Sequence, residues 1–382
     1  MKKFLFAALV LLVGCQQQPE ENKKVSIAFG DAIMERYADI NDLTDKGWEY
    51  SNSIVLIAYE KLYNSTGDEK YLNYMKNHVD KYIAADGSLD YDRSAHNLDH
   101  IQPGLLALGL YEMTGEEKYA IAAKGIRADA SDLPKNSAGG FFHKQEYTNQ
   151  MWGDGIYMAE PFIMRYGAMF DEVDESADIA TFQIILFADH AYDSTKNLML
   201  HAWDITKEAS WADSVTGLSP EVWSRGMGWY CMALVDVLEY LPKDNENYQR
   251  LIEISQGLAK GLKTYQDPKS GLWFQVVDKG NRAGNWIELS GSSMFVYFMK
   301  TAIDKGYIDD KEYTPVVNKA WEGIQNNITY DEVGPVINNF VRSMGVQNNY
   351  DEYIAVEKVS VPGSRHSHGY CGILAASFVM EN

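Results

Sequence analysis

The chain has 382 residues, of which 46% are hydrophobic, enough to bury one large core or two ordinary domains. A formal net charge of −20 argues against nucleic acid or an anionic membrane surface as a partner, because nothing would neutralise the phosphates. The 9 Trp and 25 Tyr are many for this length, and amphipathic rings in such numbers often line carbohydrate sites as well as helical cores.

The N-terminus has the features of an export signal. Lys2 and Lys3 precede an apolar stretch, residues 4–13, that is too short to span a bilayer comfortably. The stretch runs into Leu-Val-Gly-Cys at residues 12–15, which resembles a bacterial lipoprotein processing site. By that resemblance Cys15 becomes the lipidated first residue of the mature protein. The alternative is a plain secretory signal with an incidental cysteine.

These features predict three parts of the chain and a location for the protein. We expect a lipoprotein signal peptide at 1–14, a flexible polar tether at 15–24 and one folded domain at 25–382, within which no linker is apparent. The protein is then exported from a bacterial cell, and it associates with a membrane only through the lipid on Cys15. The expected location is the periplasm or the outer membrane.

An internal repeat indicates the architecture. The segment LYNSTGDEKY at 62–71 recurs as LYEMTGEEKY at 110–119, and each copy ends one apolar periodic run and begins another. Gly67 and Gly115 are typical of residues that follow a helix C-terminus, and the acidic residues after them suit the first turn of the next helix. The spacing corresponds to one helical hairpin with its connections.

Apolar periodicity continues to the end of the chain and predicts an all-α protein. The predicted helices lie near residues 26–40, 50–66, 68–84, 100–114, 116–129, 155–170, 176–195, 225–241, 245–265, 288–305, 310–327 and 369–381. Such a repeated hairpin arrangement fits an (α/α)6 barrel, in which an inner ring of helices surrounds a funnel and loops at one end build the site. Short strands are expected near 139–144, 198–204 and 271–276.

Two cysteines remain after the signal, and we expect no disulfide between them. Cys231 lies in an apolar helical run, where a buried thiol is more common than a disulfide, and Cys371 is the other. The sequence contains no CxxC motif, no HExxH motif and no cluster of His and Asp at ligand spacing. We therefore expect neither a metal ion nor another cofactor.

One carboxylate stands out for its surroundings. Asp154 lies between Gly153 and Gly155 and beside Trp152 and Tyr157. A carboxyl group in a partly dry, aromatic setting tends to have a raised pKa, which suits a general acid. The flanking glycines allow a sharp turn or a close approach to a ligand. The alternative is that Asp154 simply caps a helix N-terminus.

Further motifs lie in predicted loops that carry aromatic residues, and such residues are better indicators of function in loops than on helices. Asn-Leu-Asp-His at 97–100 directly precedes a helix, so Asp99 has an N-cap as its alternative role. His-Ala-Trp-Asp at 201–204 and Trp-Ser-Arg-Gly-Met-Gly-Trp-Tyr at 223–230 follow later in the chain.

Five motifs together carry a family resemblance. They are GFFHK at 140–144, QMWGDGIYM at 150–158, WSRGMGWY at 223–230, SGSSMF at 290–295 and HGY at 368–370. In combination they resemble the unsaturated glucuronyl and rhamnogalacturonyl hydrolases of glycoside hydrolase family 105, to which family 88 is related. The resemblance implies an (α/α)6 barrel and a substrate left by a polysaccharide lyase, an oligosaccharide whose terminal uronate has a C4=C5 double bond. It also implies hydration of that bond in place of attack at C1.

The resemblance also implies roles for individual residues. Asp154 is expected to be the general acid/base, which gives a proton to C4 and takes one from water. Asp99 is expected to bind ring hydroxyls and to keep Asp154 protonated through like-charge repulsion. Arg225 is the candidate for the substrate carboxylate, with a structural ion pair as its alternative. The full set of expected substrate-binding residues is Tyr50, His143, Trp152, His201, Trp223, Arg225 and Trp229.

For three of these residues a structural role stays open. His143 and His201 are equally well explained as satisfied structural histidines, and core packing is the more common role for a residue such as Trp229. We assign no role to His368, and the oligomeric state is left open.

Two other functions fit the same features. An inverting (α/α)6 glycosidase would use Asp99 and Asp154 as a pair around C1 of a saturated substrate. A non-catalytic glycan-binding lipoprotein would use the aromatic loops alone.

The segment 204–222 is poor in basic residues, which favours a neutral sugar next to the uronate.

Overall fold

The computed structural model describes residues 23–381. Helices dominate this range and are separated by short loops and three small sheets. The helices are α1 (Val25–Arg36), α2 (Tyr50–Thr66), α3 (Glu69–Val79), α4 (Gly104–Thr114), α5 (Glu117–Ser131), α6 (Gly153–Met169), α7 (Val173–Ala191), α8 (Ser224–Tyr240), α9 (Tyr248–Tyr265), α10 (Leu289–Asp304), α11 (Asp310–Gln325), α12 (Tyr350–Ala355) and α13 (His368–Glu381). The predicted signal peptide and Cys15 lie outside the described residues.

Six helices form a closed inner ring. Helix α2 contacts α4, and contacts then pass from α4 to α6, α8, α10 and α13, which returns to α2. Helices α3, α5, α7, α9 and α11 each pack against the inner helix that precedes them in the chain, and α1 packs against α13 and α2. The architecture is an all-α (α/α)6 barrel, as the sequence predicted.

The repeat read from the sequence marks two helix ends. Gly67 and Gly115 follow α2 and α4 with φ of 69°, and their N–H groups donate to the carbonyls of Tyr63 and Tyr111. This left-handed conformation is easily adopted by glycine and ends each helix sharply. The side chain of Asp68 then accepts a hydrogen bond from the first turn of α3, so one helix begins where the other stops.

Inner helices are apolar on most faces because they are surrounded on most faces. In α4 the residues 104–110 are all buried, which a helix with only one covered face would not show. Four leucines lie in this run, and burial of each contributes about 1.5–3 kcal/mol. The hydrophobic cluster that includes them extends through the whole ring, from Phe29 of α1 to Phe378 of α13.

The strands are short and lie in the loops between helices. They are β1 (Gln150–Trp152), β2 (Tyr192–Asp193), β3 (Leu198–Met199), β4 (Ala202–Asp204), β5 (Ile328–Tyr330), β6 (Pro335–Val341) and β7 (Lys358–Val361). All pairings are antiparallel: β1 with β4, β2 with β3, and β6 with both β5 and β7.

The strand predictions were partly wrong. The segment 198–204 contains β3 and β4, but 139–144 has only a single bridge at Phe141, and 271–276 has only bridges at Phe274 and Val276. These segments are loops with one or two isolated β-bridges, and they have too few consecutive backbone hydrogen bonds to form a strand. The β5–β6–β7 sheet and α12 were not predicted at all.

Candidate active site

One end of the barrel contains a cavity of about 240 Å³. The N-terminal ends of inner helices meet there: Tyr50 begins α2, Asp154 and Arg225 lie in the first turns of α6 and α8, and His368 begins α13. Helix N-termini carry positive partial charge, so the cavity favours an anionic ligand despite the net negative charge of the chain. The residues that line it are Tyr50, Asp99, His143, Lys144, Tyr147, Trp152, Asp154, Met158, Trp223, Arg225, Ser343, Met344, Gly345 and His368.

The β1–β4 pair brings Asp154 and His201 together. Trp152 pairs with Ala202 across the two strands, and the N–H of Gly153 donates to the carbonyl of His201 at 2.9 Å. Asp154 follows at once on α6, and its Oδ2 lies 3.2 Å from Nε2 of His201. His201 is fully buried, whereas 14% of the Asp154 side chain is exposed, so the carboxyl faces the cavity and the imidazole lies behind it.

The two glycines beside Asp154 are explained by their neighbours. A Cβ on Gly153 would lie 3.0 Å from the carbonyl oxygen of Gly226, where α6 and α8 approach each other. A Cβ on Gly155 would lie 3.0 Å from Nδ1 of His143. Glycine at both positions therefore allows the first turn of α6 to lie close to α8 and to His143.

The expectation of a raised pKa for Asp154 was wrong for the unliganded protein. Burial raises the pKa of this carboxyl, but the close contact with Nε2 of His201 and the electrostatic influence of His201, His143 and Arg225 lower it by more. The net effect holds the pKa of Asp154 below its ordinary value. The carboxylate is therefore the resting form, and a bound ligand must raise its pKa before it can act as an acid.

Asp99 lies at the cavity in a close ion pair. It is only 1% exposed, and its Oδ2 lies 2.6 Å from Nζ of Lys144, while its Oδ1 lies 3.6 Å from Nε2 of His143. The negative charge of Asp99 raises the pKa of Lys144 above its ordinary value against the lowering effect of burial. The turn at Asp99 is capped by the side chain of Asn97, so the N-cap alternative for Asp99 was wrong.

This ion pair changes the role that Asp99 can have. Like-charge repulsion was expected to keep Asp154 protonated, but the pKa of Asp154 is lowered, and the charge of Lys144 offsets that of Asp99. The role that the structure leaves open for Asp99 is to accept hydrogen bonds from ring hydroxyls.

Aromatic stacking forms one wall of the cavity. The ring of Trp152 lies 4.8 Å from that of His143 at an interplanar angle of 10°, and 4.5 Å from that of Tyr147 at 22°. The indole N–H of Trp152 donates to Gln150 at 3.0 Å. The indole is thus fixed in position, as a surface that packs against a sugar ring must be.

Arg225 holds a loop in place. Its guanidinium donates to the carbonyl of Val341, to that of Arg342 at 2.7 Å and to Oγ of Ser290 at 3.3 Å, and it lies 4.9 Å from the ring of Trp223. Within residues 23–381 Arg225 forms no ion pair with a carboxylate, so the alternative of a structural ion pair for Arg225 was wrong. These bonds use three of the five N–H donors, so among the described residues Nε–H and one N–H of Nη2 are left without a protein partner.

Two other expected residues differ in their placement. The hydroxyl of Tyr50 lies 3.0 Å from Nε2 of His368, and both line the cavity. Trp229 is 1% exposed and packs against Tyr157 at 4.9 Å, so it belongs to the core and does not line the cavity.

Sequence reasoning missed several residues that line the cavity. They are Lys144, Tyr147, Met158, Ser343, Met344 and Gly345, together with His368, for which no role was assigned. Lys144 had a usable signal, since it is a cation next to His143 in an acidic chain. The segment 343–345 had none, because it reaches the site from the far end of β6.

The described residues contain neither a metal-binding cluster nor a membrane-spanning helix. Within residues 23–381, no group of three or more His, Cys, Asp or Glu side chains is arranged to hold a metal ion. None of the helices described between these residues is long and apolar enough to cross a membrane.

The fold and the cavity define a protein of the glycosyl hydrolase class. Residues 26–381 match the family model described as Glycosyl Hydrolase Family 88. The chain therefore belongs to this family.

Solved structures agree with this assignment. The structure of a family 105 glycoside hydrolase from C. acetobutylicum is 32% identical, has a TM-score of 0.88 and covers 94% of this chain and 99% of its own. A possible family 105 member from Klebsiella pneumoniae has a TM-score of 0.79 over 99% of both chains, and at 21% identity it supports the fold alone.

Curated relatives match either over a shorter part of the chain or at lower sequence identity. Protein Atu3128 of Agrobacterium fabrum is 38% identical over 115 residues, which are 30% of this chain and 48% of that protein. The chain thus spans about half the length of this first curated relative. The unsaturated rhamnogalacturonyl hydrolase YesR of Bacillus subtilis is 23% identical over 82% of this chain and 83% of its own length.

Proposed function

We propose that the protein removes a 4,5-unsaturated uronic acid from the non-reducing end of lyase-generated oligosaccharides by hydrating the C4=C5 double bond. The observation that carries the proposal is the contrast between the two carboxyl groups of the cavity. Asp99 is tied to Lys144 at 2.6 Å, whereas Asp154 faces the cavity with a single histidine behind it. One carboxyl group is thus free to move a proton, and hydration of an enol ether needs only one.

The chemistry follows from that single group. Protonated Asp154 gives its proton to C4, and positive charge develops at C5, where the ring oxygen stabilises it. A water molecule adds to C5 as Asp154 takes one of its protons, which restores the acid. The resulting hemiketal opens by cleavage of the C5–O5 bond, C1 becomes a hemiacetal, and the partner sugar leaves.

Binding of the substrate raises the pKa of Asp154, which is lowered in the unliganded protein. The substrate carries a carboxylate, and a negative charge in the same enclosed cavity raises the pKa of a neighbouring carboxyl. Displacement of water from the cavity acts in the same direction. The acid is therefore formed when the substrate is bound.

The positive end of the barrel supports recognition of the uronate. The helix N-termini at Tyr50, Asp154 and His368 contribute partial positive charge, and Nε of Arg225 is a buried donor without a partner. Asp99 is suited to accept hydrogen bonds from ring hydroxyls. Trp152 and Trp223 line the cavity and are the aromatic surfaces proposed to pack against the planar unsaturated ring.

The inverting glycosidase is less well supported. That mechanism needs one carboxyl that is protonated and a second that acts as a base, about 6.5–9.5 Å apart. Asp99 is held in an ion pair with Lys144, and the pKa of Asp154 is lowered in the absence of an anionic ligand. A saturated, neutral glycan would supply nothing to raise it.

The partner sugar is proposed from the relatives. YesR is named an unsaturated rhamnogalacturonyl hydrolase, and a Formosa agariphila relative, 23% identical over 45% of this chain, is named an unsaturated 3S-rhamnoglycuronyl hydrolase. Rhamnose next to the uronate is therefore the first choice. A panel of unsaturated disaccharides with different partner sugars tests it: fastest release from the rhamnose compound supports the choice, and equal rates for all partners contradict it.

The location is proposed from the N-terminus alone. Lys2, Lys3 and the apolar stretch 4–13 support export, and Leu-Val-Gly-Cys at 12–15 supports lipid attachment at Cys15, in the periplasm or at the outer membrane. Mass spectrometry of the mature protein should find a diacylglyceryl group on Cys15. Recovery of a soluble, unmodified mature chain with Cys15 removed would contradict the proposal.

A further inference from the structure

Tyr353 lies on the side of His201 that faces away from Asp154. Its hydroxyl lies 2.8 Å from Nδ1 of His201, and both side chains are fully buried. Nε2 of the same ring faces Asp154, so the imidazole bridges a phenol and a carboxyl. A neutral imidazole has one N–H and one lone pair, and the partner of one nitrogen therefore decides what the other nitrogen can offer.

The surroundings of the phenol oxygen determine the direction of the hydrogen bond. Burial raises the pKa of the Tyr353 phenol well above its ordinary value, so this oxygen carries its hydrogen. Within the described part of the chain, the only side chain hydrogen-bonded to that oxygen is His201. A buried hydroxyl in this position satisfies its own hydrogen by donating to the imidazole. Nδ1 of His201 is then the acceptor, and the ring hydrogen lies on Nε2.

We propose that Tyr353 is a positioning residue that holds His201 in the Nε2–H tautomer and thereby directs a ring N–H towards Oδ2 of Asp154, 3.2 Å away. The catalytic consequence rests on the proposed function of Asp154 as acid and base. The tautomer itself does not, since it is a property of the unliganded protein.

Tyr353 is held in place independently of His201. It lies on α12, and its carbonyl accepts from Nε2 of Gln275 at 3.2 Å. Oε1 of Gln275 accepts from the indole N–H of Trp223 at 3.2 Å. The position of the phenol is thus fixed by α12 and by a fully buried glutamine.

The other charged groups near the pair do not replace Tyr353. His143 and Arg225 face Asp154, and Glu221 faces Tyr353 from the segment that precedes α8. In the described residues none of the three is hydrogen-bonded to the His201 ring, which leaves Tyr353 as the group that sets its tautomer.

The tautomer can be read without any substrate. Long-range proton–nitrogen NMR spectra report which ring nitrogen carries hydrogen, and the spectrum of His201→Gln identifies the signals of His201. We expect the hydrogen on Nε2 in the native protein and a mixture of tautomers in Tyr353→Phe. Tyr350→Phe is the matched control on α12, because among the described residues the hydroxyl of Tyr350 is hydrogen-bonded to the carbonyls of Arg282 and Ala283 and not to His201. It should leave the signals of His201 unchanged.

Two results would overturn the proposal. One is an Nδ1–H tautomer of His201 in the native protein, a result that needs no variant to fold. The other is an unchanged tautomer in Tyr353→Phe. If the native protein hydrates no unsaturated oligosaccharide, the proposed function is contradicted. The NMR spectra still test the proposed tautomer, because they are recorded without substrate.

Kinetics test the catalytic consequence. Tyr353→Phe should lower kcat about tenfold, the effect of one buried hydrogen bond. It should also move the alkaline limb of the pH profile of kcat/KM to higher pH, because a mixture of tautomers directs an N–H towards Asp154 for only part of the time and lowers the pKa of Asp154 less. A purely structural role for Tyr353 would lower the rate equally at every pH without moving the limb, and that outcome would contradict the proposal.

Discussion

Nε2 of His201 lies 3.2 Å from Oδ2 of Asp154, a carboxyl that, unlike Asp99, forms no ion pair with a lysine or an arginine of the described residues. The contact favours the carboxylate in the resting protein, whereas the proposed reaction begins with the carboxylic acid. An anionic substrate reconciles the two, since its charge raises the pKa of Asp154 only after it has bound. The arrangement also returns Asp154 to its ionised form after the product leaves.

Asp154→Asn should leave the fold intact and lower kcat by a factor of about 10²–10⁴, since an amide can neither give nor take the proton. The measurement is the loss of ultraviolet absorbance of the conjugated double bond. Asp86→Asn, which alters an exposed turn, is the matched control and should have the native rate. A native rate in Asp154→Asn would remove this residue from the chemistry.

Lys144→Met should destabilise the protein by about 3–5 kcal/mol, because it leaves the buried carboxylate of Asp99 without its counter-charge. The double variant Asp99→Asn with Lys144→Met should recover part of that loss, since the uncompensated charge is gone. Urea unfolding measures both free energies. Additive losses in the double variant would show that the two residues do not act as a pair.

Arg225→Lys should lower the free energy of unfolding by about 2–4 kcal/mol, because lysine cannot bond to the carbonyls of Val341 and Arg342 together. The segment 343–345 lines the cavity directly after these carbonyls, so KM should rise as well. Arg250→Lys, an exposed arginine on α9, is the control and should change neither quantity. An unchanged stability of Arg225→Lys would contradict the role in holding the loop.

Asp236 should make stability depend on pH at the opposite end of the barrel. Burial raises its pKa from 3.8 to about 6, while Lys61 and the hydroxyl of Tyr297 oppose that rise only in part. The protonated Asp236 carboxyl makes its full contribution to the stability of the fold at pH values below the pKa that it has in the unfolded chain. This contribution is lost as the pH rises through about 6, the pKa in the folded protein. Asp236→Asn should therefore match the native protein near pH 4 and exceed it near pH 7 by about 1–3 kcal/mol. An equal difference at both pH values would contradict the assignment.

Local sequence patterns predicted the ring of helices, because each inner helix can be recognised from its own residues. Gly67 and Gly115 mark helix ends through backbone conformation alone, and the buried run 104–110 is visible as unbroken apolar sequence. The β5–β6–β7 sheet was missed because its strands are short, partly polar and exposed on one side. Their pairing depends on contacts with α13 and α1 that no local pattern encodes.

The sequence analysis named about half of the residues that line the candidate site and only part of the site's chemistry. Asp154, Asp99 and His201 come together as expected, but the pKa of Asp154 depends on which polar atoms face it, and aromatic neighbours in the sequence do not reveal those. Tyr353 lies 152 positions from His201 along the chain, so its contact with the imidazole exists only in the folded protein. Lys144 could have been found, since it directly follows His143.

The central claim is that water adds to the C4=C5 bond. Its most direct test is to incubate the purified protein with unsaturated uronyl-rhamnose in water enriched in heavy oxygen and to locate the label by mass spectrometry. We predict loss of ultraviolet absorbance, free rhamnose and the label at C5 of the former uronate. Label at C1, with the double bond and its absorbance retained, would contradict hydration and establish ordinary glycoside hydrolysis instead.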